Sequence, residues 1–148
     1  MLEKTLVQKD SFNELIELAL SKKGIYVLSI GPPGCLRVLF FRAMRAELLE
    51  QYFSFAIKPI DVISASYEDR LIEHISKMIS EKREMRGLIL YLSCSEILTG
   101  MKFEKTQRAI LEKYNMPVYV FKRGPFAKRT GAPREKMKEL ISKINEYL

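Results

Sequence analysis

The chain of 148 residues contains two cysteines, Cys35 and Cys94, and a single histidine, His74. Thiolates are soft donors and good nucleophiles, so a pair of them suits three roles: holding a metal cluster, cycling as a redox pair, or filling tight turns as small packing residues. Cys35 closes the run Gly31-Pro32-Pro33-Gly34-Cys35, and Cys94 lies in Tyr91-Leu92-Ser93-Cys94-Ser95-Glu96. Each run follows an apolar stretch as long as a buried strand, so each thiol is expected just past a strand's end. A single histidine leaves a zinc hydrolase site or a Ser/His/Asp triad with little support. His74 falls in mid-helix and reads as a boundary residue between core and solvent. Tyr67-Glu68-Asp69 reads as a helix start, where carboxylates are favoured, rather than an acid/base pair. Glu96 reads as a cap for the segment after Cys94, with a proton relay beside the thiols as the alternative.

The elements that must position these residues repeat one pattern. Ser11-Phe12-Asn13-Glu14 has the spacing of a capping box, and Leu15, Ile16, Leu18, Ala19 and Leu20 give the following helix an apolar face that ends at Gly24. Ile25 to Ile30 is a nearly continuous apolar run, as expected of a strand covered on both faces. A helix is expected from Leu36 to about Phe53, and a short second strand between Ser54 and Ile63, broken by Pro59. Leu71, Ile75, Met78 and Ile79 mark a helix from about Tyr67 to Lys82. Gly87 to Leu92 is a third strand, about Phe103 to Tyr114 a helix, and Pro117 to Phe121 a fourth strand. A last helix carries Pro133 in its first turn.

This alternation predicts one α/β domain over residues 1–148: a three-layer αβα, Rossmann-like arrangement around a four-stranded parallel sheet. In such a sheet the strand carboxyl ends share one edge, where ligands bind. The loops Gly31–Cys35, Ile63–Tyr67, Ser93–Gly100 and Lys122–Pro125 are therefore expected together on that edge. The helix after Cys35 aims its first amides there, a setting that favours an anionic group.

Hydrophobic residues make up 47% and charged residues 29% of the chain, proportions of an ordinary globular protein. No stretch approaches the roughly 20 apolar residues of a membrane helix, and the first residues do not read as a signal peptide. Cysteines in that setting point to the reducing cytoplasm. The net charge of +7 favours acidic partners, but the excess is spread over the chain and mixed with Glu135, Glu139 and Glu146 in the last helix. A solvated basic surface, including Arg37, Arg42 and Arg45, is the simplest reading, a docking face for an acidic partner the next, and nucleic acid the least favoured. Phe40, Phe41, Tyr52 and Phe53 read as core or dimer contacts rather than base-stacking platforms.

The Gly-Pro-Pro-Gly turn does not make a phosphate-binding loop, because Leu36, Arg37 and Val38 stand where Gly, Lys and a hydroxyl residue are required. It does resemble the Gly-Pro-x-Gly-Cys signature of the nitrogenase component 1 type oxidoreductases, which include nitrogenase molybdenum-iron subunits and dark-operative protochlorophyllide reductase subunits. Asp61-Val62-Ile63 with Leu71 resembles that family's next strand end and helix. Ser93-Cys94 with Ile97-Leu98-Thr99-Gly100 resembles its Thr-Cys and Leu-Ile-Gly series, and Gly124-Pro125-Phe126 its later Gly-Phe end. The sequence departs from the family at Ser64-Ala65, where a Gly-Gly is usual, and at Gly100-Met101-Lys102, where a Gly-Asp-Asp is usual.

The resemblance covers roughly Tyr26 to Phe126, the extent of a single N-terminal domain of that family. It implies cofactor binding around Gly31, Gly34, Cys35 and Cys94, with Cys35 and Cys94 ligating an iron–sulfur cluster, a 4Fe-4S centre by preference. Such centres usually take four thiolates, so two cysteines imply a homodimer that shares the cluster. The family analogy further implies an electron-transfer role, an iron-protein ATPase as reductant and a separate substrate-binding subunit. A cluster-free module that binds an acidic protein or small anion, and a thiol redox protein, are the alternatives.

Overall fold

The computed structural model describes residues 23–45, 47, 49–64, 66–92, 101–122 and 133–147. Four strands form one all-parallel sheet in the order β2-β1-β3-β4: β1 Ile25–Gly31, β2 Tyr52–Ala56, β3 Gly87–Leu92 and β4 Val118–Lys122. Between and after them run α1 Pro33–Arg45, a 3-10 turn Leu49–Gln51, α2 Pro59–Ser64, α3 Tyr67–Glu81, α4 Glu104–Tyr114 and α5 Pro133–Tyr147. The α/β, Rossmann-like class expected from the sequence is the one observed. The expected helix at Ser11–Gly24 lies almost wholly outside the described residues.

The apolar strands are explained by what covers them. Alternate residues of a strand face opposite ways, and both sides of this sheet are packed. Tyr26, Leu28, Ile30, Phe55, Leu88, Leu90, Leu92 and Val118 face a layer built from Leu71, Ile75 and Met78 of α3 and Ile110 of α4. Ile25, Val27, Tyr52, Ile89, Tyr91 and Phe121 face Ala43 of α1 and Met137, Leu140, Ile141 and Ile144 of α5. The α5 residues recur at the i, i+3, i+4, i+7 spacing of one helical face. The two helical layers and the sheet between them make the three-layer sandwich.

Two boundaries differ from the sequence expectation. The helix after Gly34 stops at Arg45 rather than near Phe53, because Glu47 adopts a left-handed conformation with φ 60° and donates its N–H to the Met44 carbonyl at 3.1 Å. That frees Tyr52 and Phe53 to open β2, with Tyr52 facing the α1/α5 side and Phe53 the α3/α4 side. Pro59 does not break a strand; it occupies the first position of α2, where its fixed φ suits a helix and its missing N–H costs nothing. The segment Asp61–Ile63 is therefore helical, and the loop that leaves β2 is Ile57–Lys58 rather than Ile63–Tyr67.

Candidate functional site

The strand order places the topological switch point between β1 and β3: the chain leaves β1 toward β2 on one side and leaves β3 toward β4 on the other. Ligands of open α/β sheets bind in the crevice at the carboxyl ends of such strands. Ile30 pairs with Leu92, so β1 and β3 end at the same level. Cys35 follows the first of these ends and Cys94 the second.

Gly31 is the last residue of β1, and its carbonyl accepts the Ile57 N–H at 2.9 Å, which extends the β1–β2 ladder to the sheet's edge. Pro33, Gly34 and Cys35 form the first turn of α1 rather than a free loop, and the Leu36 N–H donates to the Pro32 carbonyl at 3.1 Å. The amides of Gly34 and Cys35 are among the first four of the helix, which find no acceptor within it. Gly34 is outside the left-handed region, and a Cβ there would touch nothing within 4 Å. Neither a tight turn nor crowding within this chain therefore requires that glycine. Cys35 is exposed. Ser93–Gly100, with Cys94 and Glu96, lie outside the described residues, as do Arg123–Ala132 with Gly124-Pro125-Phe126.

The thiol of Cys35 suits a soft metal in donor type. Among the described residues, no three His, Cys, Asp or Glu side chains converge as a metal would need. One described thiol fits a part of an iron–sulfur ligand set, which Cys94 and a second copy of the chain would have to complete.

α1 also carries an unusual surface. Val38, Phe40, Phe41 and Met44 are between 42% and 52% exposed. Cys35, Val38, Phe41 and Met44 recur every third residue and so form one ridge along the helix. Arg37 and Arg45 are exposed on the same helix. The aromatic residues anticipated as core or dimer contacts thus divide: Tyr52 is buried, whereas Phe40 and Phe41 are open to solvent and meet each other edge to face at 5.9 Å. Ile60 and Ile63 on α2 are exposed as well.

Elsewhere on this edge, the described residues are tied together by side-chain hydrogen bonds. Asp61, third in α2, accepts the Lys58 N–H at 2.8 Å, the reach-back bond of a capping box, and its other oxygen takes a hydrogen bond from Arg70 of α3. Burial of Asp61 pushes its carboxyl up, but Arg70 and the Lys58 amide outweigh this and hold it below the usual carboxylate range. At the start of α4, Phe103 has no side chain able to cap the helix. Glu68 of α3 does so from outside, accepting both the Thr106 N–H at 2.8 Å and its hydroxyl at 2.9 Å. The Tyr67 hydroxyl donates to the Lys102 carbonyl at 3.0 Å and accepts the Lys102 N–H at 2.9 Å. Tyr67-Glu68-Asp69 is therefore a helix start, as read from the sequence, and in addition a clamp on the segment that returns from β3.

His74, expected at the core boundary, is half-buried and meets Phe55 edge to face at 5.5 Å. The Arg70 guanidinium lies 5.1 Å from the centre of the same Phe55 ring. This grouping of β2 with α3 was not anticipated as a site. Its only trace in the sequence is the spacing of Arg70, Glu73, His74 and Lys77, which puts four polar side chains on one helical stripe.

No helix of the described residues is long and apolar enough to cross a membrane. No family model and no curated protein matches the chain. Among solved structures it resembles nitrogenase Cp1 determined at pH 6.5, with a TM-score of 0.53 and 17% identity over 67% of this chain and 20% of that one. It resembles nitrogenase Cp1 at pH 5 with a TM-score of 0.56 and 15% identity over 82% of this chain and 25% of that one. The chain thus spans a fifth to a quarter of the length of the nitrogenase chains it matches. At these identities the likeness is one of fold, and at that level the chain shares its parallel α/β architecture with part of a nitrogenase chain.

Proposed function

We propose that this chain is a nitrogenase-like electron-transfer component that holds an iron–sulfur cluster between two copies of itself, through Cys35 and Cys94 of each. The supporting observation is the level, adjacent ending of β1 and β3 at the switch point, since the segments that leave these two ends carry the two cysteines. Cys35 is exposed in the first turn of a helix, where its side chain is accessible beside amides that find no acceptor within the helix. Those amides favour a negatively charged centre.

The second copy supplies the missing donors. The ridge that begins at Cys35 and continues through Val38, Phe41 and Met44 is apolar and open, as a self-complementary two-fold contact requires. A two-fold axis passing beside Cys35 brings four thiolates together from two chains. When bound, the cluster supplies one-electron transfer. Cys35 and Cys94 of each copy would hold it, the first amides of α1 would supply donors to it, and the apolar ridge of the partner would cover it. An iron-protein ATPase as electron donor, and a separate subunit with the substrate site, complete the reading. On this reading Gly34 would leave the helix start free of a side chain where the cluster is to be held, a role consistent with its open surroundings within one chain.

Anaerobic purification with iron and sulfide analysis, an absorption spectrum and a solution mass tests this reading. The expected result is a dimer with iron and sulfide in the wild type, and loss of both in Cys35→Ala and in Cys94→Ala. Iron-free protein from anaerobic preparation, or iron content unchanged by both substitutions, overturns the cluster. A monomeric mass in iron-loaded protein overturns the sharing.

A further inference from the structure

An open groove of about 380 Å³ runs between α4 and the outer edge of β4, the last strand in the sheet order. One wall is helical. Thr106 and Ile110 turn into the core, which leaves Glu104, Gln107, Arg108 and Leu111 as a stripe at the i, i+3, i+4, i+7 spacing beside the strand. Val118 and Tyr119 of β4 contribute the other wall. Leu111 is 39% exposed, so the groove offers apolar surface as well as charge.

The backbone of β4 has bonds to spare on this side. In a parallel ladder the N–H and C=O of one residue point the same way, and successive residues alternate. The Leu88 N–H donates to the Pro117 carbonyl at 3.1 Å, so Tyr119 and Phe121 also turn their polar groups to β3. Val118 and Val120 turn theirs outward. The described residues engage one of these outward groups: the Gln107 side-chain amide donates to the Val118 carbonyl at 2.8 Å. A donor reaching that carbonyl from outside the sheet is what a further strand would also supply. The polar groups of Val120 stay open, and an open strand edge is a template for another chain.

Glu104 and Arg108 are exposed and pair with no described residue, each other included. They lie four residues apart on α4, a rise of about 6 Å. Side chains on one face of a strand recur every two residues, at about 6.6 Å. An extended segment beside β4 can therefore set an acidic side chain against Arg108 and a basic one, two residues away, against Glu104. The two groove charges cancel, so the groove selects the order of charges in a segment rather than its net sign.

We propose that β4 and α4 bind an extended segment of a partner protein as a fifth strand of the sheet, a segment that turns an acidic and a basic side chain, two positions apart, toward α4. Backbone hydrogen bonds to the open edge supply affinity, and the side chains in the groove supply specificity. Because α4 runs back against β4 in the crossover from β3, acid before base fits a segment parallel to β4, and base before acid an antiparallel one. The assignment does not depend on the cluster or on the α1 contact.

The probes are two fluorescent, end-capped heptapeptides of alternating valine and polar residues, one with aspartate two positions before lysine and one with the two exchanged. Fluorescence anisotropy with the intact chain is expected to show saturable binding, with one peptide about threefold or more tighter than the other, in line with exposed ion pairs. Exchanging the groove charges, Glu104→Arg with Arg108→Glu, is expected to reverse that preference; both positions are exposed, so the fold is not at risk. Methylating the central backbone nitrogens of the preferred peptide is expected to weaken it about tenfold. Amide exchange at Val120, fast in the free chain, is expected to slow when the peptide binds. Absence of saturable binding, a preference that the charge exchange leaves unchanged, or affinity indifferent to methylation overturns the proposal. Slow exchange at Val120 in the free monomer overturns it too, because the chain then covers its own edge. Self-association that the peptide competes away assigns the edge to a second copy instead and overturns the partner segment.

Discussion

Gly87, where β3 begins, offers a stringent test of how α5 is docked on the sheet. The residue is buried, and a Cβ built on it would stand 2.5 Å from Cγ2 of Ile144 and 3.1 Å from both Cγ1 and Cδ1. Ile144 is fully buried and branched at Cβ, so it cannot swing a flexible end away. Gly87→Ala therefore forces α5 outward or Ile144 off its rotamer, an overpacking penalty of about 1–3 kcal/mol. At about 3 °C per kcal/mol for a domain of this size, the melting temperature should fall by roughly 3–9 °C. Ile144→Ala alone should cost about 2–5 kcal/mol by leaving a cavity. In the double variant the new methyl enters that space, so the combined loss should be smaller than the sum by at least about 1 kcal/mol. Denaturant melts of the four proteins give the cycle directly. Additive losses, or a Gly87→Ala protein as stable as the wild type, would show that α5 does not rest on β3 in this register.

Four further outcomes follow from the same structure. Asp61→Asn removes the charge that Arg70 pairs with and should cost about 1–3 kcal/mol in a chemical melt. Because the Asp61 carboxyl is held below its unfolded value, its contribution is complete above about pH 4 and fades as pH falls through the lowered folded value; the variant's acid limb should accordingly be flatter. Glu68→Ala should cost about 1 kcal/mol and speed amide exchange at Lys105 and Thr106, since it uncaps α4. Glu47→Gly relieves a left-handed backbone and should stabilise by about 0.5–1 kcal/mol in thermal melts. If two copies meet through the α1 ridge as proposed, Phe41→Glu should leave the chain monomeric in sedimentation while changing the isolated fold by less than about 0.5 kcal/mol, as exposed positions do; a variant with the same mass in solution as the wild type removes the α1 ridge from the proposed interface.

The strands were legible in the sequence because burial on both faces demands continuous apolar runs, and β1 and β3 begin where those runs begin. The α1/β2 boundary was not. Leu48, Leu49, Tyr52 and Phe53 continue a helical-looking spacing, while the residue that ends the helix is a glutamate in a conformation usually marked by glycine. α2 was hidden for a related reason: proline serves equally as a strand breaker and as a first helical residue, and only the reach-back bond from Asp61 distinguishes the two. At the candidate site, the glycine–proline run located Gly31, Gly34 and Cys35 at a strand end, but read as a turn what is the first turn of α1. The His74 grouping escaped because it joins residues of β2 and α3 that are distant in sequence. No linear pattern records that Phe55 lies between an arginine and a histidine.

The strand order also has a consequence for how the chain is made. β1 is buried along its whole length, yet one of its edges waits for β3, with Val27 set beside Ile89. The intervening length must be synthesised and folded back before that edge is covered, and closing so long a loop is entropically costly before the pairing repays it. A nascent chain that has emerged only as far as α3 can seat β2 on one edge of β1 while the other edge, apolar on both faces, remains bare. An unpaired strand of that kind is a template for wrong partners. Emergence of β3 covers that edge of β1 but passes the exposure to the outer edge of β3, which waits for β4, so that edge is covered only once Val118–Lys122 has paired.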